Sequence, residues 1–167
     1  MNDAIQTLLE IEAIRQLKYR YFRAVDCHDW PLLASCLAED CTTWLDSGKY
    51  RFNGRDAFVS ELRKLLDDPP LLTLHQGHHP EIELLSADRA KGLWYLEDYV
   101  ISQAQNWLLR GTAYYQDEYV KRDGRWQILS TGYDRVFEAV TSPIPEDFRV
   151  TANRFSAARQ HTPSLTS

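Results

Sequence analysis

A phenol, a carboxylate and an imidazole lie in two segments far apart in the chain, Tyr21-Phe22-Arg23-Ala24-Val25-Asp26 and His75-Gln76-Gly77-His78-His79-Pro80-Glu81-Ile82. Together they are the parts needed to move a proton next to a carbonyl group: a base, a group that orients it, and a donor for the oxygen on which charge collects. Asp26 stands out for a second reason. The apolar spacing places it near the C-terminal end of a long helix. There the macrodipole disfavours a carboxylate by roughly a few tenths of a kcal/mol unless a donor compensates. A histidine from elsewhere in the fold would be such a donor.

Other residues are weaker candidates singly. His75 follows the apolar run Leu71-Leu72-Thr73-Leu74, so a core or loop histidine bonded to a backbone carbonyl is the plain alternative. The spacing of His75, His78 and His79 invites a metal reading. However, the extended backbone before Pro80 tends to point the two adjacent rings apart, and no Cys or acidic cluster completes a tetrahedral set. Asp98 falls, by strand alternation, on one face with Trp94, Leu96 and Val100. A carboxylate on an apolar face is costly unless paired. Arg135 shares a face with Leu129, Tyr133 and Phe137 by the same rule and wants a carboxylate, which Asp98 or Asp26 would supply.

The elements that must carry these groups follow from periodicity. Ile5, Leu8, Leu9, Ile14, Leu17, Tyr21 and Val25 predict one long helix from about Asp3 to Cys27, with Tyr21 on its inward stripe. Its hydroxyl is then carried inside and needs a partner. Asp29-Trp30-Pro31 is a break and restart, Asp29 capping a short helix that runs through Leu32–Leu37. Cys41–Leu45 and Tyr50–Phe52 form a hairpin about Asp46-Ser47-Gly48-Lys49. A third helix, with Phe58, Leu62 and Leu65-Leu66 apolar, ends at Asp67-Asp68-Pro69-Pro70. Strands follow over about Glu81–Leu85, Ala90–Gln103, Trp107–Lys121 and Trp126–Phe137. Helices first and long strands after give an α+β fold with helices on one face of a sheet. The expected organisation is one domain over residues 1–140 and an extension over 141–167, loose at Pro163-Ser164-Leu165-Thr166-Ser167.

Composition narrows the function classes. The 167 residues are 44% hydrophobic and 12% aromatic, enough for a single buried core. Five Trp and nine Tyr suit a large apolar cavity that also makes hydrogen bonds. A net charge of −5 with scattered basic residues argues against nucleic acid and against anionic membrane surfaces. Cys27, Cys36 and Cys41 form no CxxC pair, which favours free thiols in a reducing compartment. With neither a signal peptide nor an apolar run of about 20 residues, a soluble cytoplasmic protein is expected.

From about Ile11 to Glu138 the chain resembles the SnoaL-like branch of the NTF2-like, cystatin-like α+β cone fold, and within it the bacterial bile-acid 7α-dehydratases. The matching stretches are Ile11-Glu12-Ala13-Ile14, Tyr21-Phe22-Arg23 with Asp26, the His75 segment through Ile82, Trp94-Tyr95-Leu96-Glu97-Asp98, Asp123-Gly124 with Trp126, and Thr131-Gly132-Tyr133 with Arg135. The resemblance implies N-terminal helices on a strongly curved, mixed, mainly antiparallel sheet. It also implies functional positions at Tyr21, Asp26, His75, Asp98 and Arg135, a hydrophobic steroid-like substrate, no cofactor or metal, and a homo-oligomer, most readily a trimer. The lindane dehydrochlorinase and scytalone dehydratase are similar in using an Asp–His pair for elimination. The dehydrochlorinase type has a lysine where this chain has Tyr21, which suits a substrate oxygen better than a departing halide. The chain departs from the bile-acid enzymes at Thr43–Asp46, Asn106–Leu109 and the C-terminal tail. The expected activity is therefore a hydro-lyase acting on a 7α-hydroxy-3-oxo-4-ene steroid or bile acid. The rivals are another lyase or isomerase on the same cone, acting on a polyketide, a halogenated ring or a different steroid, and a non-catalytic binding or scaffold subunit.

Overall fold

The computed structural model describes residues 2–156. Helix α1 (Asn2–Cys27) comes first, then α2 (Trp30–Cys36), strands β1 (Leu37–Leu45) and β2 (Tyr50–Asn53), and helix α3 (Arg55–Asp67). Four long strands follow: β3 (Leu72–Leu84), β4 (Arg89–Ser102), β5 (Trp107–Arg122) and β6 (Arg125–Thr141). They form one six-stranded sheet in the order β2-β1-β6-β5-β4-β3. The β1–β6 pair is parallel and every other pair antiparallel. This is the expected α+β arrangement, with the helices packed on one face of a mixed sheet that does not close.

Local chemistry explains the boundaries. Helix α1 stops where His28 takes a positive φ of 53° and Asp29 N–H bonds back to the Ala24 carbonyl. Asp29 then caps α2, its carboxylate accepting from Leu32 N–H at 3.0 Å, with Pro31 in the first turn. The β5–β6 turn is Asp123-Gly124, both residues at positive φ, the two-residue geometry that matches strand twist.

Three expectations need correction. Ile5, Leu8 and Leu9 are more than half exposed, so the inward stripe of α1 begins at Ile14. Strand β3 begins at Leu72, nine residues before the expected Glu81. His75 is therefore in the sheet, opposite Asp98. The apolar run with Gly77 and Pro80 hid the strand because a bulge between His78 and Glu81 breaks its alternation. That bulge, with His79 at φ 48°, also brings the His78 and His79 rings to 5.9 Å rather than pointing them apart. The third correction is in β6. Bulges opposite Glu118/Tyr119 and Thr112/Ala113 shift its alternation, so Arg135 pairs with buried Ala113 while Phe137 pairs with Thr112 and is 60% exposed.

After Thr141 the chain carries no helix or strand through Ser156, and Phe155 packs on His28 with ring centroids 4.1 Å apart. The expected loose end at Pro163–Ser167 lies outside the described residues.

One clasp fastens α1 to the sheet. Glu10 accepts from Lys121 Nζ at 2.7 and 2.8 Å and from Trp126 Nε1 at 2.6 Å. These donors hold its carboxyl below the ordinary value of 4.5. A folded value below the unfolded one means stability that is present above pH 4.5 and lost as pH falls through the folded value. Glu10→Gln is expected to lower the melting temperature by a few degrees at pH 7. The gap from wild type should close below pH 4.5 in thermal melts followed by circular dichroism.

Candidate active site

The last turn of α1 has no basic residue, yet it carries Asp26. Strand β3 supplies the missing compensation. Asp26 Oδ1 accepts from Thr73 Oγ1 at 2.8 Å and lies 2.6 Å from His75 Nδ1, while Oδ2 accepts the His75 backbone N–H at 2.9 Å. Three donors thus converge on one carboxylate. A carboxylate acceptor at Nδ1 fixes the proton there, which leaves Nε2 as the basic nitrogen. The Asp26 and His75 side chains are 18% and 17% exposed, shielded but reachable.

The imidazole is held on its face as well. Phe22, four residues before Asp26, stacks on it with planes 6° apart and centroids 6.2 Å apart. Gly77 makes room: a Cβ there would fall 2.4 Å from the Phe22 ring. One turn of helix therefore orients the histidine twice, by charge and by shape.

His75 opens into a cavity of about 580 Å³ bounded by α1, α3 and the strands β3 to β6, within the range that takes a drug-sized molecule. Apolar walls come from Val25, Phe58, Leu62, Leu66, Leu71, Val100 and Leu109, and polar groups from Tyr21, Tyr115, Tyr133, Asp98 and Arg135. A larger open groove of about 640 Å³ lies beside Glu10, Lys121 and Trp126, but neither His75 nor any of the other candidate site residues lines it. The chemistry belongs to the cavity.

Tyr21 is 2% exposed, and its ring stands edge-on to that of Tyr115 with centroids 6.4 Å apart. Burial, followed by the charge of Asp117, pushes the Tyr21 phenol well above its ordinary range. Burial likewise raises Tyr115, so both phenols are neutral donors at pH 7. Asp98 and Arg135 meet across β5: Arg135 Nη1 and Nη2 bond Asp98 Oδ1 and Oδ2 at 2.6 and 2.7 Å, a bidentate fork. The intervening residue is Gly111. A Cβ there would lie 2.6 Å from Arg135 Nη1 and 2.8 Å from Asp98 Oδ1, so the pair can cross the strand only over glycine. Glu138 Oε2 stands 3.3 Å from Arg135 Nε, and the guanidinium lies 4.8 Å from the Tyr133 ring centroid.

The structure thus brings Tyr21, His75, Asp98 and Arg135 to one cavity, with Asp26 bonded to His75 at its wall and Asp98 rather than Asp26 the partner of Arg135. His78 and His79 lie elsewhere, beside Tyr95 and Phe137. Among the described residues no group of three or more His, Cys, Asp or Glu is placed to hold a metal ion. Cys27, Cys36 and Cys41 are unpaired with one another.

Sequence reasoning missed Tyr115 and a charged group beneath it. Lys18 is fully buried, with Nζ 2.8 Å from Asp117 Oδ2. The signal was present. Lys18 lies four residues after Ile14 and three before Tyr21, on the inward stripe, and Asp117 alternates with Tyr115 and Tyr119 on β5.

Residues 6–131, about three quarters of the chain, match the SnoaL-like domain. Solved structures share the fold at low identity. Hexachlorocyclohexane dehydrochlorinase LinA-type3 from Novosphingobium barchaimii superposes with a TM-score of 0.74 at 22% identity, covering 84% of this chain and 96% of that one. A scytalone dehydratase-like protein from Novosphingobium aromaticivorans gives 0.74 at 21%, covering 90% and 100%. An NTF2-like protein of unknown function from Pseudomonas putida gives 0.62 at 20%, covering 77% and 87%. No helix among the described residues is long and apolar enough to cross a membrane.

The Asp98 and Arg135 side chains are 4% and 14% exposed, so removing one charge strands the other. Arg135→Met is expected to cost about 3 kcal/mol of stability in urea unfolding. Arg135→Met/Asp98→Leu should recover most of that loss.

Proposed function

The chain belongs to the SnoaL-like domain family, and from that premise we propose that it is a cofactor-independent hydro-lyase that dehydrates a 7α-hydroxy-3-oxo-4-ene steroid. The observation that carries the reading is the 2.6 Å contact of His75 Nδ1 with Asp26, at the wall of an apolar cavity that also holds a phenol pair. The dehydrochlorinase and dehydratase names among the structural neighbours are compatible with elimination chemistry. The residues of this chain narrow it.

The C6 proton of such a steroid is acidified through the conjugated enone. His75 Nε2 removes it, and the electron pair flows through the conjugated system to the C3 oxygen as a dienolate. Tyr21 donates a hydrogen bond to that oxygen. That hydrogen bond contributes roughly 3–4 kcal/mol in a dry site. Collapse of the dienolate expels the 7-hydroxyl, which takes the proton from His75 and leaves as water. Asp26 holds the imidazole in the productive tautomer and stabilises the imidazolium, as the acid of a catalytic triad does. Asp98 and Arg135 form a fixed charged wall that shapes the cavity beside Tyr133.

The enzyme acts in the cytoplasm as a homotrimer, by this reading, and residues 1–140 form the catalytic domain with 141–167 as an extension. The face of the sheet away from the helices supports self-association, since it exposes Leu74, Leu93, Tyr95 and Phe137. The same parts would serve elimination from another ring ketone, so substrates are to be compared.

Incubated with a 7α-hydroxy-3-oxo-4-ene steroid, the protein should generate the longer-wavelength absorbance of a 4,6-diene. No change, with wild type matching His75→Ala, sinks the steroid reading. Turnover of a halogenated ring or a polyketide instead would select a rival lyase. Asp26→Asn keeps the shape and loses the charge, and should drop kcat on the order of 10³-fold. Tyr21→Phe removes one donor and leaves the base in place, so it should lose less, on the order of 10²-fold. Light scattering should give a trimer mass that Phe137→Asp reduces.

A further inference from the structure

Lys18 is a buried cation that neither the base nor the donor needs for its own bonding. Its ammonium is held by Asp117 Oδ2 at 2.8 Å and Oδ1 at 3.1 Å and lies 3.3 Å from Thr131 Oγ1. Asp117 also accepts from Tyr119 Oη at 2.7 Å and Thr131 Oγ1 at 2.6 Å, and Tyr119 accepts from Trp94 Nε1 at 2.9 Å. The carboxylate end of the pair is therefore saturated by neutral donors.

The ammonium end faces aromatic rings. Nζ lies 3.7 Å from the ring centroid of Tyr115, 4.7 Å from Tyr21 and 5.0 Å from Phe22. Two of these rings are the neighbouring phenols of the cavity, and the third is the one on which His75 stacks. A buried ion pair contributes little net stability compared with well-packed apolar residues, so its position asks for another reason. A cation on the face of a phenol draws electron density from the ring, and it does so more strongly where water is excluded. The hydroxyl becomes a stronger hydrogen-bond donor. Asp117 alone would act in the opposite sense.

We infer that Lys18 is a positioning residue that sets the donor strength of the Tyr21–Tyr115 pair, through the faces of their rings, toward an oxygen that gains negative charge in the reaction. The inference rests on the proposed function for its oxyanion, but it concerns a residue that touches no substrate. It assigns the Lys18–Asp117 dipole a direction, with the positive end under the cavity.

The test uses Lys18→Met/Asp117→Asn, which removes both charges together and leaves no unpaired charge in the core. Lys18→Gln/Asp117→Asn, an amide pair that keeps the hydrogen bonding, serves if the first variant does not fold. The probe is 2-naphthol, whose neutral and ionised forms differ in fluorescence, titrated with pH while bound to the full-length protein. Wild type should ionise the bound probe at lower pH than free probe. The folded variant should lose on the order of tenfold in preference for naphtholate over naphthol, and its dehydration kcat should fall on the same scale with KM little changed. A folded variant that keeps the full preference and the wild-type kcat overturns the inference and makes Lys18 purely structural. Absence of any naphtholate preference in wild type overturns it too, by removing the phenol donor itself, and so separates that failure from one confined to Lys18.

Discussion

The convergence of three donors on Asp26 is the interaction on which the site depends. A carboxylate in the last turn of a 26-residue helix sits against the macrodipole and has no basic residue in its own turn. It is tolerated because strand β3 delivers a hydroxyl, a backbone amide and an imidazole to its two oxygens. The same contacts fix where the end of α1 rests on the sheet, and hence where Tyr21 and Phe22 enter the interior. Moving any one of these groups moves the others, so the electrostatic repair of an awkward residue and the aiming of a proton-transfer pair are one arrangement.

The polar interior is arranged in pairs, each made tolerable in its own way. Asp98 and Arg135 satisfy one another through a two-point fork and require Gly111 beneath them. Lys18 and Asp117 draw in Thr131, Tyr119 and Trp94. Both pairs are costly to bury; Lys18 and Asp117 are bonded further to their neighbours, whereas Asp98 and Arg135 rely on their fork. Apolar side chains supply most of the cavity's exposed wall, and the polar groups are set among them.

Much of this was legible in the chain. Helix spacing put Tyr21 inside, the cap at Asp29 was local chemistry, and the resemblance joined Asp26 to His75. What could not be read was register. Three bulges, in β3 and β6, change which face a residue meets, and a bulge leaves no reliable mark on the alternation it breaks. The start of β3 and the outward turn of Phe137 were lost for that reason. Lys18 was passed over differently: a lysine on an apolar stripe reads as a side chain reaching for water until a buried aspartate is known to face it.

The bulge that separates Arg135 from Phe137 has a consequence for how such a protein can change. One extra residue lets a single strand send Arg135 to the cavity and Phe137 to the opposite surface, with Val136 between them. Substitutions two positions apart are then read by different environments, one by a small molecule and one by whatever covers the sheet. Selectivity and surface can drift along separate lines in the same few residues, and neither has to wait for the other.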